Sequence, residues 1–211
     1  VANDDTMPST IGMVGNANLG NVLPNNGNGP DTLNGTPLAN LALVTMTVTN
    51  PATPIGGGLV PTLDTTTGVV SVPVGTPAGT YTITYQICQI LNPTNCDTAI
   101  VTIPVTAAAI DAVNDTIAST NGTNGNPNAG NVLTSNGNGP DTLNGAPATT
   151  SQVTISIVTP ATPVSPGAPV PSVDPVTGQI SIPANTPAGN YTITYQICEI
   201  LNPTNCDTAV V

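Results

Sequence analysis

One feature constrains this chain more than any other: it is written twice. The segment Thr76–Ala99 returns as Thr186–Ala209 with two changes, Thr80 to Asn190 and Gln89 to Glu199. The spacing is 110 residues, and the same spacing carries Asn26–Gly35 onto Asn136–Gly145. A period of that length is a whole domain rather than one turn of a solenoid. The 211 residues therefore read as two domains of ordinary size, residues 1–109 and residues 110–211. The second copy stops at Val211, partway through the strand that matches Asp97–Val105 of the first, and Val1 aligns with Asp111 at the junction. The expectation is a window on a longer array, with the last strand of the second copy truncated. Tandem copies this similar point to work done by length and number rather than by one chemical site.

Composition decides what such domains can do. There is no Lys, Arg or His against 11 acids, a net charge of -11, and there is no Trp or Phe. No ion pair between side chains is possible, so each carboxylate must be solvated, hydrogen-bonded or bound to a metal. Nothing here neutralises phosphates, which argues against nucleic acid and against anionic lipid surfaces as partners. No run approaches the 18 or so apolar residues of a membrane-spanning helix, so direct membrane insertion is not expected. The net charge keeps long arrays soluble and mutually repelling. Val, Ile, Leu and Ala must fill the cores, helped by Tyr81, Tyr85, Tyr191 and Tyr195, which are all the tyrosines.

Strand signals recur at short intervals between clusters of Gly, Pro and Asn. In the first copy they fall at Leu41–Thr49, Leu59–Leu63, Val69–Val74, Gly79–Ile90 and Asp97–Val105, with shorter ones at Gly20–Leu23 and after Thr6. The Pro24–Gly35 stretch reads as a loop. In the strongest strand, period-two alternation places Tyr81, Ile83, Tyr85 and Ile87 inward, with Thr82, Thr84, Gln86 and Cys88 outward. About seven strands in about 100 residues predict an all-β fold of two tandem immunoglobulin-like β-sandwiches arranged end to end. Pro77-Ala-Gly-Thr-Tyr81 resembles the tyrosine corner of such sandwiches, although the Cys–Trp–Cys core of antibody domains is missing.

Four cysteines permit three pairings. The repeat favours Cys88–Cys96 and Cys198–Cys206, each flanking a loop between two antiparallel strands. The rival reading, a metal–thiolate site, needs four ligands together, and the repeat separates the pairs into different domains. Disulfides imply an oxidising, extracellular compartment.

The acids follow a pattern of their own. Seven of the ten Asp residues precede Thr: at Thr6, Thr32, Thr65, Thr98, Thr116, Thr142 and Thr208. This resembles the Asp-Ser/Thr-aliphatic sequon for O-glycosylation in Bacteroidota, which makes those threonines candidate glycan sites. Thr66 departs from the aliphatic third position and weakens Thr65. The plainer reading is that Asp ends a turn and Thr opens a strand. The junction carries Asp111, Asn114 and Asp115, and the start carries Asp4 and Asp5. These resemble the Asp/Asn-rich linkers of cadherin-like repeats, and hard oxygen ligands suit Ca²⁺. No cofactor is required by the sequence, and Ca²⁺ at the domain junction is the one candidate; loop capping by Asp and Asn is the alternative.

Several segments together resemble the repeats of giant cell-surface adhesins of gliding Bacteroidota. They are Ala112-Val-Asn-Asp115, Gly20-Asn-Val-Leu23, Gly178-Gln-Ile-Ser-Ile-Pro183, Pro77-Ala-Gly-Thr-Tyr81 and Asn92-Pro-Thr-Asn-Cys96. The resemblance implies type IX secretion, display on the outer-membrane surface and attachment during gliding. Its partners would be neighbouring repeats of the same chain, with surface polysaccharide or other cells engaged through other regions. On that reading the chain is a stalk or filament repeat. The alternative is a Ca²⁺-dependent carbohydrate-binding or adhesion module using the Asn25–Asp31 loop. An enzyme is not expected: only carboxylates are present as acid or base, and the spacing of Asp31 and Asp64 pairs neither with another acid.

Overall fold

The computed structural model describes residues 1–24, 26–134 and 136–211, and its regular structure is entirely β. Among these residues no helix is long and apolar enough to cross a membrane. The chain divides into two compact units, Val1–Ala107 and Ala108–Val211, referred to below as repeat one and repeat two.

Repeat one is an immunoglobulin-like sandwich of two sheets. The larger sheet runs in the order Asp5–Thr6, Asn92–Thr106, Gly79–Gln89, Val44–Asn50, with Thr10–Ile11 pairing further along Asn92–Thr106. Both short N-terminal strands lie parallel to Asn92–Thr106, at Asp5↔Val101 and Val105↔Thr10. Pro104 has no N–H to offer, and it falls opposite the gap between those two short strands. The smaller sheet is Asn16–Asn21, Val69–Val72, Thr62–Leu63. The alternation read from the sequence holds: Tyr81, Ile83, Tyr85 and Ile87 are all buried. They meet Val70, Val72, Val101 and Ile103 in a core of β-branched and tyrosyl side chains.

Two local departures from the sequence reading have local causes. The strand expected at Gly20–Leu23 is instead Asn16–Asn21. Asn21 ends it, because its Oδ1 accepts from the Leu23 amide at 2.9 Å while its Nδ2 donates to the Thr67 carbonyl at 2.7 Å. The Pro24–Gly35 loop contains the start of a small hairpin, Thr32–Leu33 against Thr36–Pro37. Its two-residue turn is Asn34-Gly35 with φ of 51° and 76°, the left-handed pair that suits the twist of a tight hairpin.

Repeat two has the same plan. Its sheets are Val153–Thr159, Thr194–Glu199, Cys206–Val210; then Asn126–Asn131, Gln179–Ile182, Ser172–Val173; then Ile110–Asp111, Thr142–Leu143, Ala146–Pro147. One difference matters below. The segment Gly189–Ile193 matches Gly79–Ile83 of repeat one, yet the regular strand begins only at Thr194. Ile193 exchanges both backbone hydrogen bonds with Val211, each 2.9 Å, and the ladder goes no further.

Candidate functional site

The residues singled out by chemistry gather at three places in each repeat. The first is the disulfide hairpin. Cys88 is bonded to Cys96 and Cys198 to Cys206, each pair facing across adjacent antiparallel strands. No free cysteine remains among the described residues.

The second is a buried cluster that sequence reasoning missed. In repeat one the Tyr85 hydroxyl lies 3.0 Å from Asp5 Oδ2, 3.1 Å from Asp31 Oδ2 and 3.3 Å from the Asn3 carbonyl. Asp5 is 2% exposed and Asp31 0%. Asn26 Nδ2 donates to Asp5 Oδ1 at 3.0 Å, and the Asn3 amide donates to Asp31 Oδ1 at 2.7 Å. Repeat two rebuilds the same arrangement: the Tyr195 hydroxyl is 3.2 Å from Asp115 Oδ2 and 3.1 Å from Asp141 Oδ2. Asn136 Nδ2 donates to Asp115 Oδ1 at 2.9 Å, and the Val113 amide to Asp141 Oδ1 at 2.7 Å.

One hydroxyl carries one hydrogen, so it cannot donate to two carboxylates at once. The second carboxylate then faces oxygen lone pairs in a dry setting unless one acid of the pair holds a proton. The titration follows this geometry. Burial pushes Asp5 up to about 6 and raises Asp31, against the lowering effect of the Asn26, Asn3 and Tyr85 hydrogen bonds. Burial likewise pushes Asp141 up to about 6 and raises Asp115. Tyr85 and Tyr195 are raised far above the usual phenol range, first by burial and then by the facing carboxylates. The acid pairing that spacing did not reveal therefore exists, between Asp5 and Asp31, but it is sealed inside the sandwich. It ties the N-terminal strand, the Asn26–Asp31 loop and the central strand into one knot. The available signal was the recurrence of Asn26 and Asp31 as Asn136 and Asp141. The tyrosine corners stand beside it: Tyr81 donates to the Pro77 carbonyl and Tyr191 to the Pro187 carbonyl, each at 2.8 Å.

The third place is the edge where the N-terminal segment meets the last strand. Asp4 Oδ1 accepts from the Ile100 amide and Asn114 Oδ1 from the Val210 amide, both at 2.8 Å. Asp97 Oδ2 accepts from the Ala2 amide at 2.9 Å, and Asp207 Oδ2 from the Ala112 amide at 2.8 Å. These side chains act as substitute ladder acceptors.

The five candidate calcium ligands are thus dispersed. Asp5 and Asp115 are turned into the buried knots, Asp4 and Asn114 cap the last strand, and Asp111 lies exposed in the strand Ile110–Asp111. Among the described residues, no group of three or more His, Cys, Asp or Glu side chains is gathered as a metal site. In the loop proposed for carbohydrate, Asn25 lies outside the described residues, Asn26 and Asp31 belong to the knot, and Asn28 Nδ2 donates to the Asp4 carbonyl at 3.1 Å.

Among the threonines after Asp, Thr6, Thr98, Thr116 and Thr208 are exposed, while Thr32, Thr65 and Thr142 are half-buried. Their aspartates are engaged in the fold. Asp64, for example, accepts from the Thr66 hydroxyl and amide and from the Thr67 hydroxyl, and these bonds hold its carboxyl below the usual range.

No family profile matches the chain. No curated protein matches it in sequence. Solved structures do align with it along nearly its whole length. A protocadherin gammaB4 extracellular domain aligns over 98% of this chain and 33% of its own, at 11% identity and a TM-score of 0.36. Mouse cadherin-23 repeats EC22–24 align over 98% and 62%, at 16% identity and 0.34. A SusE-like surface-located polysaccharide-binding protein from Bacteroides thetaiotaomicron aligns over 99% and 32%, at 14% identity and 0.31. The chain spans less than two thirds of each, and its fold rests on the strand pairings described above.

Proposed function

We propose that the two repeats are non-catalytic stalk modules of a secreted cell-surface adhesin, acting outside the cell to hold a binding region away from the surface. The observation that carries this reading is duplication of the internal lacing. Both repeats keep the same disulfide hairpin and the same Tyr–Asp–Asp knot, so what is repeated is a structural framework. The disulfides favour an extracellular setting. Asp5, Asp31, Asp115 and Asp141 sit inside as fasteners. Among the described residues, Asp4, Asp64, Asp97 and Asp207 serve as turn caps or strand-edge acceptors rather than as an acid–base pair. Placement in a gliding-motility filament, type IX export and glycans at the exposed threonines Thr6, Thr98, Thr116 and Thr208 belong to this proposal.

Intact mass of the natively purified protein, before and after reduction, tests it. The expected result is a mass above 20.9 kDa in sugar increments, with four hydrogens gained on reduction. A bare polypeptide mass removes the glycans. Free thiols in the native protein remove the extracellular framework. A calcium titration followed by thermal unfolding should leave Tm unchanged, and a saturable rise would reinstate a metal site.

A further inference from the structure

A strand edge leaves N–H and C=O groups unpaired, and proteins guard it by shortness, charge, proline or bulges. In repeat one, three edges carry such guards. The N-terminal side of the larger sheet is two strands of two residues each, Asp5–Thr6 and Thr10–Ile11, with Pro8 between them. In the smaller sheet, Thr62–Leu63 is two residues long between Pro61 and Asp64, and Asn16–Asn21 loses register between Asn16 and Gly20. The remaining edge, Val44–Asn50, has no charge, no proline and no break in register from Val44 to Val48. Repeat two keeps the contrast. Ser172–Val173 lies between Pro171 and Asp174, and Asn126–Asn131 carries Pro127 and an irregular register, whereas Val153–Thr159 is unguarded. None of the 11 acids lies in either unguarded strand.

The ladder decides which groups point outward. The Ile90 amide donates to the Leu43 carbonyl at 3.0 Å, so bonded pairs with Gly79–Gln89 fall at Thr45 and Thr47, and the backbone groups of Val44, Met46 and Val48 face away from the sheet. The Val44 amide is taken by the Leu41 carbonyl at 3.3 Å, and beyond Val48 the register breaks before Asn50. Met46 and Val48 are left on the open side with no backbone partner among the described residues. In repeat two the Ile200 amide donates to the Gln152 carbonyl at 2.9 Å, and the Val153 amide to the Thr149 carbonyl at 3.0 Å. The open residues there are Ile155 and Ile157. Met46 and Ile155 bury their side chains, so each edge presents backbone, flanked by the exposed hydroxyls of Thr45 and Thr47 or of Thr154 and Ser156.

We propose that this edge is a self-association site, and that its partner is the same edge of a second copy of this chain. An antiparallel pair centred on Thr47 sets Met46 opposite Val48 of the second copy, and Val48 opposite its Met46. Every open donor then meets an open acceptor, as a two-fold contact requires. In repeat two the pair centres on Ser156, with Ile155 opposite Ile157. Without Lys, Arg or His the chain cannot hold a copy of itself through side-chain ion pairs, and its net charge of -11 makes two copies repel. The acid-free edges are where that repulsion is least. A ladder this short buries well under the roughly 1,000 Å² of a stable interface, so a single contact is transient, with a Kd of about 1 mM. The inference stands independently of the adhesin reading.

Sedimentation equilibrium of the 211-residue protein, from about 10 µM to about 1 mM, tests it. The mean mass should rise from 20.9 kDa toward twice that value, and more steeply in high salt, which screens the repulsion. At a free protein concentration equal to Kd, the amides of Met46, Val48, Ile155 and Ile157 should exchange with solvent about twofold more slowly than in dilute solution. Thr47→Asp with Ser156→Asp sets carboxylates face to face across each two-fold and should weaken association at least about tenfold. Both positions are exposed, so the fold should survive. The uncharged counterpart, Thr47→Asn with Ser156→Asn, should associate within about twofold of the unaltered protein. A monomer at about 1 mM in high salt would overturn the proposal. So would undiminished association of the Asp variant, equal loss in both variants, or slowed exchange confined to other amides.

Discussion

Gly79–Cys88 and Gly189–Cys198 differ at one residue in ten, Thr80 against Asn190, yet they are not structured alike. The first is strand from its first residue; the second becomes strand only at Thr194. The exchanged residue is exposed in both repeats and does not account for five residues of strand. What differs is the neighbour: Gly79–Ile83 is paired along Val101–Val105, whereas in repeat two the ladder stops at Ile193 and Val211. Strand character is therefore supplied across the sheet by the partner as much as along the chain by propensity.

If the knots are equivalent, removing the central hydroxyl should be the most damaging change in either repeat. Tyr85→Phe or Tyr195→Phe leaves the buried acid pair without its shared donor, and about 3 kcal/mol of stability should go. Urea unfolding would show it, and adding Asp31→Asn to Tyr85→Phe should return part of the loss. A tyrosine change that costs one repeat heavily and the other nothing would break the equivalence. Opening the hairpin should cost somewhat less. Replacing Cys88 and Cys96 by Ala removes a short closed loop, worth about 2–3 kcal/mol, and Cys198 with Cys206 should cost the same in thermal scans.

Acidity should act on both repeats together. The buried pairs hold a proton in the folded state that the unfolded chain releases near the ordinary Asp value of 3.8. Their stabilising contribution is complete below that value and is lost as pH rises through about 6. Tm should thus fall between pH 5 and pH 7.5, and Asp5→Asn should weaken the response of repeat one alone. Asp64 and Asp174, with lowered values, act in the opposite sense, and their contribution disappears only in stronger acid.

The smallest effect should come from the second sequence difference. Gln89 is half-exposed, with Oε1 accepting from Asn92 and Asn95. Glu199 is 1% exposed; its Oε2 accepts from Asn205 at 2.8 Å, and its buried Oε1 has no partner among the described residues. Glu199→Gln should stabilise repeat two by about 1 kcal/mol, since a buried amide costs less to desolvate than a carboxyl group whose second oxygen lacks a partner. A loss on chemical denaturation would mean that the carboxylate finds a donor in solution.

What was legible in the sequence had a local grammar. Alternation placed Tyr81 to Ile87 inward, the flanked loop paired Cys88 with Cys96, and Pro77-to-Tyr81 marked the tyrosine corner. The Tyr85–Asp5–Asp31 knot joins residues from three distant parts of the chain and leaves no strand or helix periodicity, only recurrence at the repeat spacing. The Asp-Thr pattern looked like a surface signal, and two of its aspartates in each repeat proved to be the buried acids. Gln89 and Glu199 look like a conservative exchange until the fold shows that only one is buried.

The parallel pairing of Asp5–Thr6 and Thr10–Ile11 with the final strand has a mechanical consequence. A force pulling the two ends of repeat one apart runs along those strands, so their cross-bonds are loaded in shear and must yield together rather than unzip singly. Forced unfolding is governed by the rate of that rupture, not by equilibrium stability. With the Cys88–Cys96 bond intact, the hairpin between them adds no slack after the rupture. Repeat one is built to be stiff when pulled, and after rupture its disulfide withholds only the short loop it closes.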